Sequence, residues 1–390
     1  MVVAVDASEL YARSDSCRVA DGKPAPDAPP LHIYTQRRLR GAAFDSLLDE
    51  VVHALRAVAP RAVLQFEDFG SATAFDLLRR HRVTLPCFND DIEGTAAVAV
   101  AAVLAAMRAT DGQLAAQRFL FLGAGEAGTG IADLLVSAMI ARCGLPAAQA
   151  RARCVFLDSK GLVCAERLRD TAKGRLAAHK VPYAHELPFV RTLLEAVEAF
   201  KPTVLVGVST QRGAFSAGVL QALAACCARP LVMPLSNPTA LSECTYDEAL
   251  THTAGRCLFA SGSPFPPSAR SPLGAARAPP QANNAYIFPA VGRAAYETGA
   301  AGIDEGMFLV AAEALAALVT DAEARDGLLF PPVGRMAETG LSVCAACCEH
   351  AAEAADGAPR RTRREWEALL KASAWTPDKL LLEAAPQAKL

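Results

Sequence analysis

The sequence lacks an excess of charge of either sign. Its 390 residues carry 39 Lys and Arg against 41 Asp and Glu, a formal net charge of −2 at neutral pH. Because nucleic acids and anionic membranes attract strongly basic surfaces, this balance argues against both as partners. We expect a small molecule as the substrate.

A long apolar run is also lacking. The longest weakly polar stretch, residues 95–107, is rich in Ala and Val and is shorter than the roughly 20 residues that cross a bilayer. It predicts a buried helix. The first 23 residues contain no apolar signal core, and they are too acidic for a transit peptide because they hold Asp6, Glu9, Asp15 and Asp21. The default compartment is cytoplasmic, with a mitochondrion or plastid as alternatives if the true N-terminus lies upstream.

Clustered cysteine motifs are scarce. The chain has 12 cysteines, but Cys344-x-x-Cys347 has no second such pair and no nearby histidine pair. Zinc sites and disulfide frameworks normally show paired spacings of that kind. The cysteines are therefore predicted to be reduced thiols in the core.

The composition is typical of a folded protein, with 52% hydrophobic and 21% charged residues. Its length corresponds to about two to three domains. Residues 1–30 are predicted to be a disordered lead-in, because residues 14–30 are dense in Pro, Asp and Gly. Helix, strand, helix and strand are then predicted at 44–58, 62–66, 72–82 and the residues leading to Asn89.

A second unit alternates strands and helices. Strands are predicted at 118–122, 153–158, 203–208, 231–235 and 257–260, with intervening helices that include 189–200 and 216–225. This alternation predicts an α/β fold with a Rossmann-type, doubly wound parallel sheet. Helices are predicted at 303–319 and 336–355, followed by a charged, peripheral tail from residue 356 onward.

The motif Gly123-Ala-Gly125-Glu-Ala-Gly128 follows a predicted strand and opens a helix. In that setting, free backbone N–H groups and the positive helix terminus bind a pyrophosphate. Asp158 ends the next strand and would accept hydrogen bonds from the adenosine ribose, which favours NAD. Ser159, Lys160 and Lys180 could instead hold a 2′-phosphate, so NADP is the preferred cofactor and NAD the alternative. A tight turn without a ligand, and ordinary surface lysines, are the simpler interpretations.

Carboxylates end two predicted strands, as Glu67-Asp68 and Asp90-Asp91. Four such charges would repel one another if packed without water. A hard divalent cation such as Mg²⁺ or Mn²⁺ removes that repulsion and leaves positions for a substrate. Capping of the helix that follows is the alternative role of Asp90 and Asp91.

Asparagines follow two further segments. Asn237 comes after a predicted strand, and Asn283-Asn284 come after a Pro-rich loop. Neutral amides could bind a substrate carboxylate or hydroxyl beside a metal. Turn formation is the alternative for each of them.

Together and in order, these segments resemble the malic enzymes. The resemblance spans about residues 34–333 and is carried by the strings LQFEDFGSATAFDLL, CFNDDIEGTAAVAVA, FLFLGAGEAGTGIADLLV, LDSKGL, PYAHE, KPTVLVGVS, LSNPTALSEC, GRCLFASGSPF and NNAYIFP. The family oxidises L-malate with NAD or NADP and a divalent metal, and then decarboxylates the product to pyruvate and CO₂. The resemblance therefore implies an oxidoreductase of this kind.

The resemblance also implies residue roles. Glu67, Asp68 and Asp91 would bind the metal, and Asp90 would assist the catalytic base from behind them. Asn237 with Asn283 or Asn284 would bind malate. The cofactor set is Thr95, Gly123, Gly125, Glu126, Ala127, Gly128, Asp158, Ser159, Lys160 and Lys180.

The family's tyrosine acid and lysine base lie in motifs that this chain lacks. No lysine occurs between Lys23 and Lys160, and Lys23 lies in a Pro- and Asp-rich stretch unlike the family's lysine motif. Tyr11 and Tyr34 are poor candidates for the acid, since Tyr34 falls in IYTQRRLRG, which resembles a non-catalytic stretch of the family. We therefore expect an N-terminally truncated member whose activity alone is in question, or a non-catalytic NADP- and metal-binding regulatory partner of a full-length paralogue. Homo-oligomers or hetero-oligomers are the expected assemblies. The expected domains are 31–91 with 284–355 for substrate and metal, 92–283 for the dinucleotide, and 356–390 as the tail.

Overall fold

The computed structural model describes the backbone of residues 2–5 and the segments 40–70, 73–274, 277–354 and 360–374. A small sheet holds three parallel strands in chain order, β1 (Val2–Val5), β2 (Leu64–Glu67) and β3 (Cys87–Asn89). Helices α1 (Ala42–Val58) and α2 (Ala74–His81) accompany this sheet. Since Phe66 pairs with Asn89, β2 and β3 end side by side.

The strand β1 corrects one prediction. The lead-in was expected to be disordered over residues 1–30, yet residues 2–5 pair in parallel with β2. The reason lies in their sequence, Val-Val-Ala-Val, because β-branched residues favour strands. The remaining lead-in residues lie outside the described part of the chain.

The second sheet has six strands in the order β6-β5-β4-β7-β8-β9. All neighbouring pairs are parallel except β5 with β6. Each of β4, β7 and β8 is buried along its full length, as expected for strands covered on both faces by helices. The predicted α/β fold with a Rossmann-type parallel sheet is confirmed. The strands are β4 (Phe119–Leu122), β5 (Cys154–Asp158), β6 (Gly161–Leu162), β7 (Val204–Gly207), β8 (Leu231–Pro234) and β9 (Leu258–Phe259).

Helices surround this sheet and extend beyond it. In chain order they are α3 (Thr95–Thr110), α4 (Glu126–Cys143), α5 (Ala147–Arg151), α6 (Glu166–Arg169), α7 (Leu193–Phe200), α8 (Ala217–Cys226), α9 (Tyr246–His252), α10 (Phe288–Thr298), α11 (Glu305–Ala317), α12 (Asp321–Arg325), α13 (Met336–Ala354) and α14 (Arg363–Ala372). Short 3₁₀ segments lie between several of them. The helix predicted at 189–200 begins only at Leu193, because Thr192 and Glu195 form a reciprocal capping box there.

Helix α3 is the central helix of the molecule. It follows a short π-helix, Asp90–Gly94, and packs against α4, α11 and α12. Asp90–Thr110 is the one stretch of the described chain that is long and apolar enough to cross a membrane, but 78% of its most apolar window is buried inside the protein. The predicted buried helix is confirmed.

The tail is the second correction. It was expected to be peripheral from residue 356, but α14 packs on α13 with Trp366 and Leu370 buried. A capping box of Thr362 and Glu365 starts this helix, and its apolar face covers the preceding one. Residues 355–359 and 375–390 lie outside the described part.

The described cysteines are unpaired thiols, and most of them are buried. Within the same residues, no group of three or more His, Cys, Asp or Glu side chains has an arrangement ready to hold a metal ion. Burial raises the pKa of the Cys347 thiol. These thiols therefore act as apolar packing groups.

Candidate active site

The carboxylates at the ends of β2 and β3 lie next to each other. The backbone N–H of Asp68 donates to Oδ2 of Asp91 over 2.7 Å. Asp68 adopts a left-handed φ of 58°, a conformation that aspartate tolerates better than most residues. This turn folds the end of β2 toward the π-helix that follows β3.

Asp90 lies deeper than its neighbours. Burial raises its pKa to about 8, and the charges of Glu67, Asp91 and Asp68 add to the shift. Its Oδ2 accepts a 3.1 Å hydrogen bond from Asn284 Nδ2, while Oδ1 is buried and has no hydrogen-bond partner in the part of the chain that the structure describes. A Cβ on Gly94 would lie 1.9 Å from that oxygen, so only glycine leaves room for this carboxylate.

Glu67 and Glu126 extend the acidic group. Burial raises the pKa of Glu67, and the charges of Asp91 and Asp68 raise it further. The hydrogen bond from Gln65 acts in the other direction but does not cancel the shift. Burial also raises the pKa of Glu126 to about 7, and the charge of Asp91 contributes. Glu126 belongs to the glycine turn of the large sheet, and the helix that it opens packs on the π-helix after β3: a Cβ on Gly130 would lie 3.0 Å from the Ile92 carbonyl oxygen. The edges of the two sheets therefore lie close together.

These carboxylates have the donor chemistry that a hard divalent cation requires. Oxygen ligands suit Mg²⁺ or Mn²⁺, and a cation would offset the repulsion that raises the pKa values of Glu67 and Asp90. Among the described residues, no three such side chains are arranged to hold an ion. The assignment of Glu67, Asp68 and Asp91 as ligands stays a prediction.

The glycine turn has the close packing that its motif predicts. Gly123 has φ 105°, and a Cβ there would lie 2.6 Å from the Val208 carbonyl oxygen. A Cβ on Gly128 would lie 2.8 Å from the carbonyl oxygen of Gly123. The N-cap of α4 is Gly125, which has no side chain to cap the first N–H groups, and an anion site at a helix N-terminus requires such groups. Ala127 lies in the same first turn.

Asp158 does not present a free carboxylate to a ribose. Arg167 donates to its Oδ1 and Oδ2 over 2.8 and 3.2 Å, and Lys180 donates to Oδ2 over 2.8 Å. The backbone N–H of Lys160 adds a fourth hydrogen bond, while Ser159 is exposed. Burial acts to raise the pKa of Asp158, but these hydrogen bonds outweigh it and the net pKa lies below the usual value.

Arg167 is the main site residue that sequence reasoning missed. Its side chain is fully buried and also donates to the carbonyl oxygens of Gly161, Leu162 and Gly174. No motif marks it, because its contact with Asp158 depends on how α6 packs back onto β5.

The three asparagines have different environments. Asn284 Nδ2 lies within 3.2 Å of the Asp90 carbonyl oxygen and 3.0 Å of Thr95 Oγ1, in addition to its bond to the Asp90 carboxylate. Asn283 is exposed, and its side chain accepts from the backbone N–H of Ala285, which is the turn-forming alternative. Asn237 is exposed beside a cis Asn237-Pro238 bond and accepts from the Ser263 hydroxyl. Only Asn284 contacts the carboxylates directly in this arrangement.

A second missed contact links the two sheets. His179 Nε2 lies 3.0 Å from the carbonyl oxygen of Ala124 in the glycine turn. Its ring stacks on Phe75 of α2 with 5.9 Å between the ring centroids. Lys180 follows directly, so one short segment touches the glycine turn, Asp158 and the helix beside the carboxylates.

The Rossmann-type sheet, the uncapped glycine turn and the acidic edge define a dinucleotide-binding α/β protein. The family description "Malic enzyme, NAD binding domain" matches residues 92–352, and "Malic enzyme, N-terminal domain" matches residues 28–82. The chain belongs to the malic enzyme family.

Individual relatives agree with this family. The NADP-dependent malic enzyme of Vitis vinifera is 43% identical over 311 residues, covering 80% of this chain and 51% of that protein. The NADP-dependent malic enzyme of Anas platyrhynchos is 39% identical over 353 residues, covering 90% of this chain and 62% of that protein. The chain therefore spans about half the length of the curated relatives that it matches.

Solved structures show the same fold. A crystal structure of the Entamoeba histolytica malic enzyme has a TM-score of 0.66 at 20% identity, covering 96% of this chain and 68% of that one. The Pyrococcus horikoshii malic enzyme has a TM-score of 0.64 at 21% identity, covering 83% and 69%. At these identities the likeness concerns the fold alone.

Proposed function

We propose that this chain binds NADP and a divalent cation, and that it contains the cofactor-binding and metal-binding part of a malic enzyme active site. The packing of helix α4, which opens at the glycine turn, on the π-helix that carries Asp90 and Asp91 supports this most directly: a Cβ on Gly130 would lie 3.0 Å from the Ile92 carbonyl oxygen, so the two binding edges are neighbours. The NADP-dependent relatives support the cofactor and the substrate pair L-malate and pyruvate.

The carboxylates of Glu67, Asp68 and Asp91 would hold the cation. When bound, it supplies Lewis-acid stabilisation of the negative charge that develops on malate oxygens during oxidation and decarboxylation. Asp90 and Asn284 orient each other behind these ligands through their 3.1 Å hydrogen bond. This contact keeps the Asn284 amide beside the cleft, where it could also contact a substrate carboxylate.

The coenzyme preference follows from the charges around Asp158. Two cations, Arg167 and Lys180, already neutralise this carboxylate, and Lys160 lies next to it. A 2′-phosphate therefore meets net positive charge, whereas ribose hydroxyls find the acceptor oxygens already hydrogen-bonded. The chain is expected to favour NADP over NAD.

Replacing Lys180 with methionine is expected to weaken NADP binding about tenfold and to change NAD binding less than about twofold. The variant removes one positive charge from the phosphate site while Arg167 continues to hold Asp158. Calorimetric titration with both nucleotides measures the two affinities. Lys173→Met is the matched control, because Lys173 pairs with Glu166 rather than with Asp158. Equal losses for NADP and NAD would contradict the assignment.

Turnover requires proton transfer, and the family's acid and base motifs have no counterpart in this sequence. General acids and bases each contribute typically about 10² to 10⁴-fold. We propose that the chain binds NADP and metal but oxidises malate only when a partner supplies these groups. The second candidate function, a non-catalytic regulatory partner of a full-length paralogue, rests on the same absence.

The test combines calorimetry with NADP and an assay of NADPH formation from L-malate and Mn²⁺. Binding without turnover supports the proposal, and restored turnover on mixing with a full-length malic enzyme variant lacking its own cofactor site favours the catalytic hetero-oligomer. Robust turnover by the purified chain alone would show that a residue within it acts as the base and would overturn the proposal.

The compartment and the assembly are proposals as well. The cytoplasm is the default, and a plastid is the alternative that the chloroplastic relatives of Zea mays and Arabidopsis thaliana support. Homo-oligomers and hetero-oligomers remain the proposed assemblies.

A further inference from the structure

A buried carboxylate, that of Glu243, lies at the carboxyl ends of β7 and β8. Glu243 has no exposed surface. Its Oε1 accepts from the Ser209 N–H over 2.9 Å, from the Ser209 hydroxyl over 3.0 Å and from the Ser236 hydroxyl over 2.5 Å. Its Oε2 is buried without a hydrogen-bond partner among the described residues. Burying a polar group is unfavourable unless it is hydrogen-bonded. The hydrogen bonds that compensate for the burial of Glu243 come from Ser209 and Ser236.

This network joins two loops. The Ser236 hydroxyl also accepts from the Thr210 N–H over 2.9 Å, and the Phe215 N–H donates to the Glu243 carbonyl oxygen over 2.9 Å. Residues 208–215, which follow β7, are thereby fixed to residues 235–243, which follow β8. A Cβ on Gly207 would lie 2.5 Å from the Glu243 carboxyl carbon, so the carboxylate packs directly on the end of β7.

The position of these loops in the sheet indicates which half of a bound dinucleotide they would border. The chain runs from β4 to β5 on one side of the sheet and returns to β7 on the other, and dinucleotides bind across such a switch point. Asp158, which ends β5, marks the adenosine side. The Val208 carbonyl abuts Gly123 at the switch point itself. The loops after β7 and β8 therefore border the nicotinamide side.

We propose that Glu243 is a positioning residue that holds the loops after β7 and β8 in place against the nicotinamide half of the bound dinucleotide. The inference rests on the proposed function, since it presupposes that NADP binds. A carboxyl oxygen suits the role because it can accept several hydrogen bonds at once, as Oε1 does from three donors on two loops. Glu243 acts through Ser209 and Ser236 and does not itself touch the cofactor.

The experiment compares two ligands on four proteins. NADP uses both halves of the site, whereas adenosine 2′,5′-bisphosphate uses only the adenosine half. The variants are Glu243→Gln, Ser236→Ala and the control Ser242→Ala, whose buried hydroxyl bonds to the Cys244 carbonyl oxygen and does not reach the loop after β7. Calorimetry gives the affinities, and thermal unfolding shows that each variant is folded.

Both test variants are expected to weaken NADP binding about tenfold, while the bisphosphate affinity of every protein and the NADP affinity of Ser242→Ala stay within about twofold of the unaltered chain. If Glu243→Gln does not fold, Ser236→Ala decides the outcome. Unchanged NADP affinity in a folded test variant, or equal losses for both ligands, would overturn the role of Glu243. If the unaltered chain binds neither ligand, the proposed function is refuted, and the inference is overturned with it.

Discussion

Replacing Arg167 with alanine is expected to lower the free energy of unfolding by about 3–5 kcal/mol, the usual loss when one partner of a buried ion pair is removed. Arg167 is fully buried, and Asp158 beside it is nearly so. The variant leaves Asp158 with Lys180 as its remaining cationic partner and leaves the carbonyl oxygens of Gly161 and Gly174 without their donor. Urea denaturation at neutral pH measures the change.

The control is Arg169→Ala on the same short helix. Arg169 pairs with Glu186, but both side chains are largely exposed, so the expected loss is below about 1 kcal/mol. Because the pKa of Asp158 is lowered in the folded chain, its stabilisation is present above its unfolded pKa and is lost as pH falls through the folded value. The effect of Arg167→Ala should therefore shrink in strong acid. Equal losses for the two variants at neutral pH would contradict this account.

Replacing Asp91 with asparagine is expected to weaken Mn²⁺ binding by about 100-fold. Mutating a residue that only supports a metal ligand typically lowers metal affinity by about 10- to 100-fold. Mutating a ligand itself should therefore lower the affinity by at least the upper value. Asparagine keeps an acceptor for the Asp68 N–H. The free Mn²⁺ signal in electron paramagnetic resonance measures the affinity.

Asp91→Asn should also raise the free energy of unfolding of the metal-free chain. The charge of Asp91 contributes to the raised pKa values of Glu67, Asp90 and Glu126, so its removal relieves repulsion and should stabilise the fold without metal. Asp76→Asn is the control, because Asp76 is an exposed carboxylate paired with Arg79. Unchanged Mn²⁺ affinity in Asp91→Asn would show that this carboxylate is not a ligand.

Much of the fold was predictable because its signals are local. The apolar strand, the glycine turn and Asp158 follow one another along the chain, and the structure confirms the βαβ arrangement that they indicate. The docked tail also had a local signal, since Thr362 and Glu365 have the spacing of a capping box just before Trp366. The short apolar stretch at residues 2–5 likewise gave a usable indication of a strand.

The contacts that define the site depend on packing between distant segments. Asn283 and Asn284 are adjacent and chemically identical, yet one caps its own turn and the other reaches Asp90 across the molecule. Arg167 lies outside the family strings, and Glu243 lies within one of them without a predicted role. Each gains its role from the strand ends on which it packs. Local sequence gives the types of residue available at the cleft, and tertiary structure decides which of them meet.

The central claim is that the carboxylates and the glycine turn form one cleft in which a divalent ion lies beside the nicotinamide. Nuclear magnetic resonance of NADP bound to the chain, with Mn²⁺ added in small amounts, tests it most directly, because a paramagnetic ion broadens nearby proton signals. We expect strong broadening of the nicotinamide protons, weaker broadening of the adenine protons, and loss of the difference in Asp91→Asn. Equal broadening of both rings, or none in the unaltered chain with both ligands bound, would contradict a shared site.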